Sequence, residues 1–130
     1  MRYLVDTDWV IHYLNGHPAI AARIQTLSSE GIAMSVISLA ELYEGVFYSR
    51  NPQKSEQALQ DFVRGIELLG IDKEITRAFG RERGRLRAAG KTLGDFDLLI
   101  GVTALQRGRT LLTNNRRHFE LIEKLRIVSV

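Results

Sequence analysis

Three acidic side chains sit where they could share one cation. They are Asp6 in Leu4-Val5-Asp6-Thr7-Asp8, Glu41 in Ser38-Leu39-Ala40-Glu41-Leu42, and Asp97 in Gly94-Asp95-Phe96-Asp97-Leu98. Clustered carboxylates repel one another, and at least one keeps its proton until a cation arrives. A hard divalent ion relieves that repulsion. Mg²⁺ prefers oxygen ligands in octahedral geometry, keeps several waters, and takes only one or two carboxylates directly. The acids and the amide of Asn115 therefore suit one or two ions, with Thr7, Thr113 and Asp95 in support. Ions held this way activate water and stabilise phosphoryl oxygens during an in-line displacement. That chemistry needs no serine, cysteine or histidine triad.

Each residue also has a purely structural reading. Asp6 can cap the helix that follows it. Ser38-x-x-Glu41 matches a capping box, in which Glu41 would bond the backbone of Ser38. Asp97 suits a helix N-terminus through the dipole, and Asp95 or Asn115 can be a cap. These accounts serve each residue singly. They do not explain why all the acids fall on the same side of their elements.

The elements that must position these residues alternate along the chain. Strands are predicted at 2–5, 32–35, 69–71, 110–112 and 127–130. Helices are predicted at 7–14, from Pro18 through Leu27, from Ser38 through Phe47, and at about 52–68, 72–89, 95–106 and 116–125. Strands separated by helices imply parallel pairing with helices on both faces. In such sheets the ligand crevice lies outside the carboxyl ends of the strands, where Asp6, Ser35 and Thr113 fall.

The 130 residues fit one domain, spanning 1–130, with an ordinary apolar content of 45%. There is no cysteine, which excludes a disulfide framework and thiolate metal sites and suits a reducing, cytoplasmic setting. No apolar run is long enough to span a bilayer, and the N-terminus lacks a signal-peptide pattern. The formal charge of +3 permits a polyanionic partner.

At the acidic residues the chain resembles a PIN domain, and within that family the VapC toxins of toxin–antitoxin pairs. The resemblance spans nearly the whole chain. It rests on Leu4-Val5-Asp6-Thr7-Asp8, Ser35-Val-Ile-Ser38-Leu-Ala-Glu41-Leu, Gly94-Asp-Phe-Asp97-Leu-Leu-Ile-Gly and Leu112-Thr113-Asn-Asn115-Arg-Arg-His-Phe119, in that order. It implies an α/β fold: a PIN-like three-layer sandwich with a central, mainly parallel sheet of about four to five strands and helices on both faces. It also implies a metal-dependent endoribonuclease, using Mg²⁺ or Mn²⁺, that cuts single-stranded or loop RNA and leaves 5′-phosphate and 3′-hydroxyl ends. Asp6, Glu41 and Asp97 match the family's acids, with Asp97 selected over Asp95 because the acid precedes the apolar Leu-Ile pair. Many members carry a further acid where Asn115 stands. An amide adds no charge, so one tightly held ion is expected, with a second recruited by substrate phosphate. The resemblance also implies a homodimer and a cognate VapB-like antitoxin.

Arg116 and Arg117 lie beside the expected site and are candidates to track RNA phosphates. Arg77, Arg81, Arg83, Arg85 and Arg87 read more simply as a solvated helix face. His118 is assigned a structural or solvent-exposed place. Trp9, Tyr43, Phe47 and Tyr48 are candidates to stack on bases, although core packing is expected of Tyr43 and Phe47. An apolar groove near that helix is a candidate seat for an antitoxin segment or a second copy. Three rivals remain. Asp6-Thr-Asp8-Trp-Val resembles the start of a haloacid-dehalogenase-like phosphatase with Asp6 as nucleophile, but its last motif should follow a buried strand and Glu41 would have no task. A receiver domain would need a phospho-acceptor aspartate ending a third strand. A non-catalytic RNA- or protein-binding PIN relative would not need an intact acid set.

Overall fold

The computed structural model describes residues 2–130. Its strands are β1 (Tyr3–Val5), β2 (Ile32–Ser35), β3 (Glu67–Leu69), β4 (Thr110–Leu112) and β5 (Ile127–Val128). They form one sheet in the order β3-β2-β1-β4-β5, and every pairing is parallel. The helices are α1 (Thr7–Leu14), α2 (Pro18–Leu27), α3 (Val36–Phe47), α4 (Pro52–Arg64), α5 (Lys73–Ala88), α6 (Asp95–Gln106) and α7 (Arg116–Phe119).

Side chains alternate across a strand, so each central strand feeds two cores. Tyr3, Val5, Met34 and Leu112 point to one face, where Trp9, Ile20, Leu42 and Leu59 of α1–α4 cover them. Leu4, Ala33 and Leu111 point to the other, beneath Ile75, Leu86, Ile100 and Phe119 of α5–α7. The result is the expected three-layer sandwich. α6 is apolar on nearly every side, because it lies deep in the second layer.

The strand order fixes where a ligand can go. From β1 the chain moves outward through β2 to β3, then crosses back to place β4 on the other side of β1. The connections diverge between β1 and β4, and such a switch point opens a crevice at the carboxyl ends. Asp6 follows β1 and Thr113 follows β4.

Several boundaries differ from expectation. α3 starts at Val36 rather than Ser38, because the Ser35 hydroxyl already caps it, accepting from the Ile37 amide at 3.0 Å. Ser38 is buried inside the helix, so the capping box with Glu41 does not form. α4 stops at Arg64, where Gly65 ends it, and β3 begins two residues earlier than expected. β3 is an edge strand with Glu67 and Leu68 exposed, so it lacks the alternation of a half-buried strand. α7 ends at Phe119 rather than Leu125. Beyond it the chain turns, with Lys124 at a φ of 67°, and β5 is confined to two residues.

Gly101 lets α6 approach the segment after α7. A Cβ there would lie 2.2 Å from Ile122 Cδ1 and 3.4 Å from Phe119 Cδ1. Gly101→Leu is expected to lower stability by about 1–3 kcal/mol through overpacking. Gly101→Ala should lose less, because the Ile122 methyl can turn away and alanine favours the helix. Thermal midpoints check both. An unchanged midpoint for the leucine variant would deny the close approach.

Candidate active site

Asp6 ends β1 and is 4% exposed. One carboxylate oxygen, Oδ1, accepts from the Thr7 amide at 2.8 Å, which caps α1. The other, Oδ2, accepts from the Thr113 hydroxyl at 2.8 Å. That hydroxyl also lies 3.4 Å from Asp8 Oδ1, so Asp8 stands beside Asp6. Burial, and then the charge of Asp8, push the Asp6 carboxyl up to about 8, although the bonds from Thr113 and Thr7 oppose the rise. Capping and membership of the site coexist in this residue.

Glu41 lies in the second turn of α3, half-buried. The Thr7 hydroxyl donates to Glu41 Oε1 at 2.7 Å and lies 2.9 Å from Ser38 Oγ. Thr7 has one hydroxyl proton, so with that proton on Glu41 the Ser38 hydroxyl donates to Thr7. Burial raises the Glu41 pKa above the usual carboxylate range, and the charges of Asp97 and Glu44 add to the rise. The bond from Thr7 pulls it back.

Asp97 stands in the first turn of α6, whose N-cap residue, Gly94, offers no side chain. Its Oδ2 lies 3.2 Å from His118 Nδ1, and that nitrogen is 3.0 Å from the Asn115 side-chain amide. One ring nitrogen cannot accept from an amide and donate to a carboxylate at once. The consistent arrangement has Nδ1–H donating towards Asp97, with the Asn115 amide turned to present its oxygen. Asn115 sits at the N-cap of α7 but makes no capping bond with its side chain.

These elements meet at the switch point. Glu41, Gly94, Asp95, Phe96 and Asp97 line an open cleft of about 410 Å³. Asp6 does not line it. Thr7 links the two, accepted at its amide by Asp6 and bonded through its hydroxyl to Glu41. Among the described residues no three Asp, Glu, His or Cys side chains stand close enough together to hold an ion as they are placed. The donor set nevertheless fits a hard cation. It is built of oxygen atoms, and the proton that burial and Asp8 force onto Asp6 marks excess negative charge that a divalent ion can replace.

The remaining predicted residues separate. Asp95 is paired with Arg83 at 2.5 Å, and Arg83 also donates to the Leu93 carbonyl at 2.7 Å. Arg116 is held by Glu120 at 2.9 Å and by Ser129 Oγ at 3.1 Å, so it anchors the C-terminal strand. Arg117 is exposed and makes no described contact. Trp9 cannot stack on a base. It is fully buried, because its ring fills the first core, and its indole N–H donates to Asn114 Oδ1 at 3.0 Å. Phe47 is 64% exposed instead of packed, because α3 turns it away from the sheet at its C-terminal end, whereas Tyr43 does rest against the core.

Three participants escaped the sequence reading. Asp8 was visible as the second acid of Asp6-Thr-Asp8. Ser38 was masked by its apparent capping role. His118 gave no signal, since nothing local shows that it meets Asp97 across 21 positions.

Comparison with known proteins identifies the family. A family model described as "PIN domain" matches residues 3–125. The "Ribonuclease VapC1" of Haemophilus influenzae (strain R2866) is 31% identical over 127 residues, covering 96% of this chain and 95% of that protein. The "Ribonuclease VapC2" of Rickettsia felis is 32% identical over 127 residues, with the same coverage of 96% and 95%. The crystal structure of VapBC2 from Rickettsia felis bound to a promoter DNA fragment superposes with a TM-score of 0.94 at 30% identity, covering 100% of this chain and 99% of that one. The chain belongs to the PIN domain family, in its VapC branch.

Proposed function

We propose that this chain, acting as a single domain, is a metal-dependent endoribonuclease and the toxin of a VapBC-type pair, cutting single-stranded or loop RNA. The observation that carries the reading is the Asp6–Thr7–Glu41 link beside the β1/β4 switch point, with Glu41 and Asp97 lining one cleft and Asp6 and Glu41 at raised pKa. Relatives named as ribonucleases over nearly the whole chain support it.

Asp6 and Asp97 would hold Mg²⁺, or Mn²⁺ in its place, and the bound ion supplies positive charge for the phosphoryl oxygens and a more acidic water. Thr113 and the Thr7 amide fix the Asp6 carboxylate from behind. Glu41 takes the proton of the attacking water. The Ser38–Thr7–Glu41 chain aims its carboxylate, and burial makes it a stronger base than a solvated glutamate. Arg117, exposed and two positions after Asn115, is the cation assigned to phosphate.

The toxin role implies an antitoxin. A groove of about 400 Å³ between α1, α3 and α4, lined by Ile11, Leu14, Leu42, Val46 and Ala58, adjoins the acidic cleft at Glu41 and offers an apolar seat for one. We assign a homodimer and a cytoplasmic setting on the same family grounds. Among the described residues no helix is long and apolar enough to cross a membrane. The phosphatase alternative leaves Glu41 without a task, whereas Glu41 lines the cleft with Asp97 and accepts a bond from Thr7.

End-group analysis of cut RNA tests the mechanism. Water attack at phosphorus leaves 5′-phosphate and 3′-hydroxyl ends. A 2′,3′-cyclic phosphate product would show that the RNA 2′-hydroxyl is the nucleophile and would overturn it.

A further inference from the structure

Phe96 is a large apolar side chain left 51% exposed. It joins neither hydrophobic core. Among the described residues no aromatic ring or cation stacks against it. Burying such a ring is a main source of folding stability, so folding does not explain one held in water. Helix formation does not explain it either, since phenylalanine is an indifferent helix former. Its neighbours do set it apart. Phe96 lines the same cleft as Glu41 and Asp97, between two acidic residues of the first turn of α6. Ile11, Phe47, Tyr48, Leu68 and Val130 are also exposed, but none of them lines that cleft. Trp9, three residues from Asp6, is fully buried and unable to meet a ligand.

A cleft walled by carboxylates repels a polyanion, so part of the affinity for a nucleic-acid strand must come from contacts that carry no charge. Every nucleobase has a π-face, and stacking on an exposed ring is tolerant of sequence. The base must be free of its own stack, as in single strands, loops and bulges. We propose that Phe96 is the platform on which one unpaired base beside the scissile phosphate stacks, and that this contact selects single-stranded over duplex RNA. The inference rests on the ribonuclease reading above and adds its substrate-selecting residue.

The test compares wild type, Phe96→Leu, Phe96→Trp and Asp97→Asn on one single-stranded RNA with added Mg²⁺ or Mn²⁺. A matching set of RNAs carries a single abasic position walked across the cut site, and a duplex of the same sequence is included. Phe96→Leu is expected to raise KM by about 5- to 150-fold with kcat moved less, and Phe96→Trp to stay near wild type. Wild type should lose the same factor when the abasic position flanks the cut, and Phe96→Leu should be blind to it. Thermal midpoint, Mn²⁺ affinity and the slow cutting of duplex should be equal in wild type and Phe96→Leu. Cleavage by Phe96→Leu within twofold of wild type, with Asp97→Asn inactive, overturns the stacking role alone. Abasic sensitivity that persists in Phe96→Leu also overturns it. Wild-type cleavage by Asp97→Asn overturns the nuclease reading and the stacking role with it.

Discussion

Asp97→Asn is expected to fold as the wild type does and to lose RNA cleavage by at least about 100-fold, since a lost ligand charge removes several kcal/mol of transition-state stabilisation. The carboxylate of Asp97 does little for the fold. It is partly exposed at 27%, and its one described bond is to His118 at 3.2 Å. Asparagine keeps the shape and an oxygen for that bond. What disappears is the negative charge. The structural penalty is the lost interaction with the α6 dipole, about 0.3–1 kcal/mol. Cleavage with added Mg²⁺ or Mn²⁺, growth on expression and a thermal melt separate the two effects. The variant should melt within a few degrees of wild type yet neither cut RNA nor arrest growth. Full activity in a folded variant would remove Asp97 from the site.

The second large effect concerns stability. Asp6 carries its proton in the folded protein up to about pH 8, whereas an unfolded aspartate loses it near 3.8. Between those values the native state binds the extra proton, so the stability of metal-free protein falls as pH rises through this window. Below it both states are protonated, and above it the full penalty of an ionised buried carboxylate is in force. At pH 8 that penalty amounts to several kcal/mol. Asp6→Asn has no proton to lose; its amide oxygen can accept from the Thr7 amide, while its NH2 group donates to the Thr113 hydroxyl, which can turn its own proton towards Asp8. It should raise the metal-free melting midpoint at pH 8 by roughly 10 °C, flatten the pH profile between 5 and 8, and abolish cleavage. Melts at stepped pH in chelator check this. A wild-type profile that rises across the window would contradict the buried, protonated carboxyl.

Stability and activity thus pull against each other at Asp6. The residue proposed to hold the ion destabilises the fold without it. Such a conflict is expected where clustered charge is kept for chemistry.

Much of this was legible in the sequence, for local reasons. Val5-Asp6 and Leu112-Thr113 show an apolar strand giving way to a polar residue. Alternation of helix and strand then forces those ends to one edge of a parallel sheet. Asp97 stood out as an acid near the start of an apolar helix, and its place before the Leu-Ile pair, as in the family pattern, set it above Asp95. Other features depend on contacts that no local pattern carries. Ser35 and Ser38 are equally good caps by type, and only the point where β2 ends decides between them. β3 is an exposed edge, so hydrophobicity could not fix its register. Phe47 and Trp9 exchanged expected places because helix spacing gives a face but not what covers it. Phe96 and His118 became interesting only when the cleft brought Glu41 and Asp97 to them.

The claim beneath all of this is that a divalent cation displaces the proton on Asp6. Calorimetric titration with Mn²⁺ at pH 7, repeated in buffers of different ionisation enthalpy, measures that exchange directly. Wild type is predicted to release close to about one proton per ion bound, and Asp6→Asn to bind far more weakly with no release. Tight binding without proton release, retained in Asp6→Asn, would contradict the account.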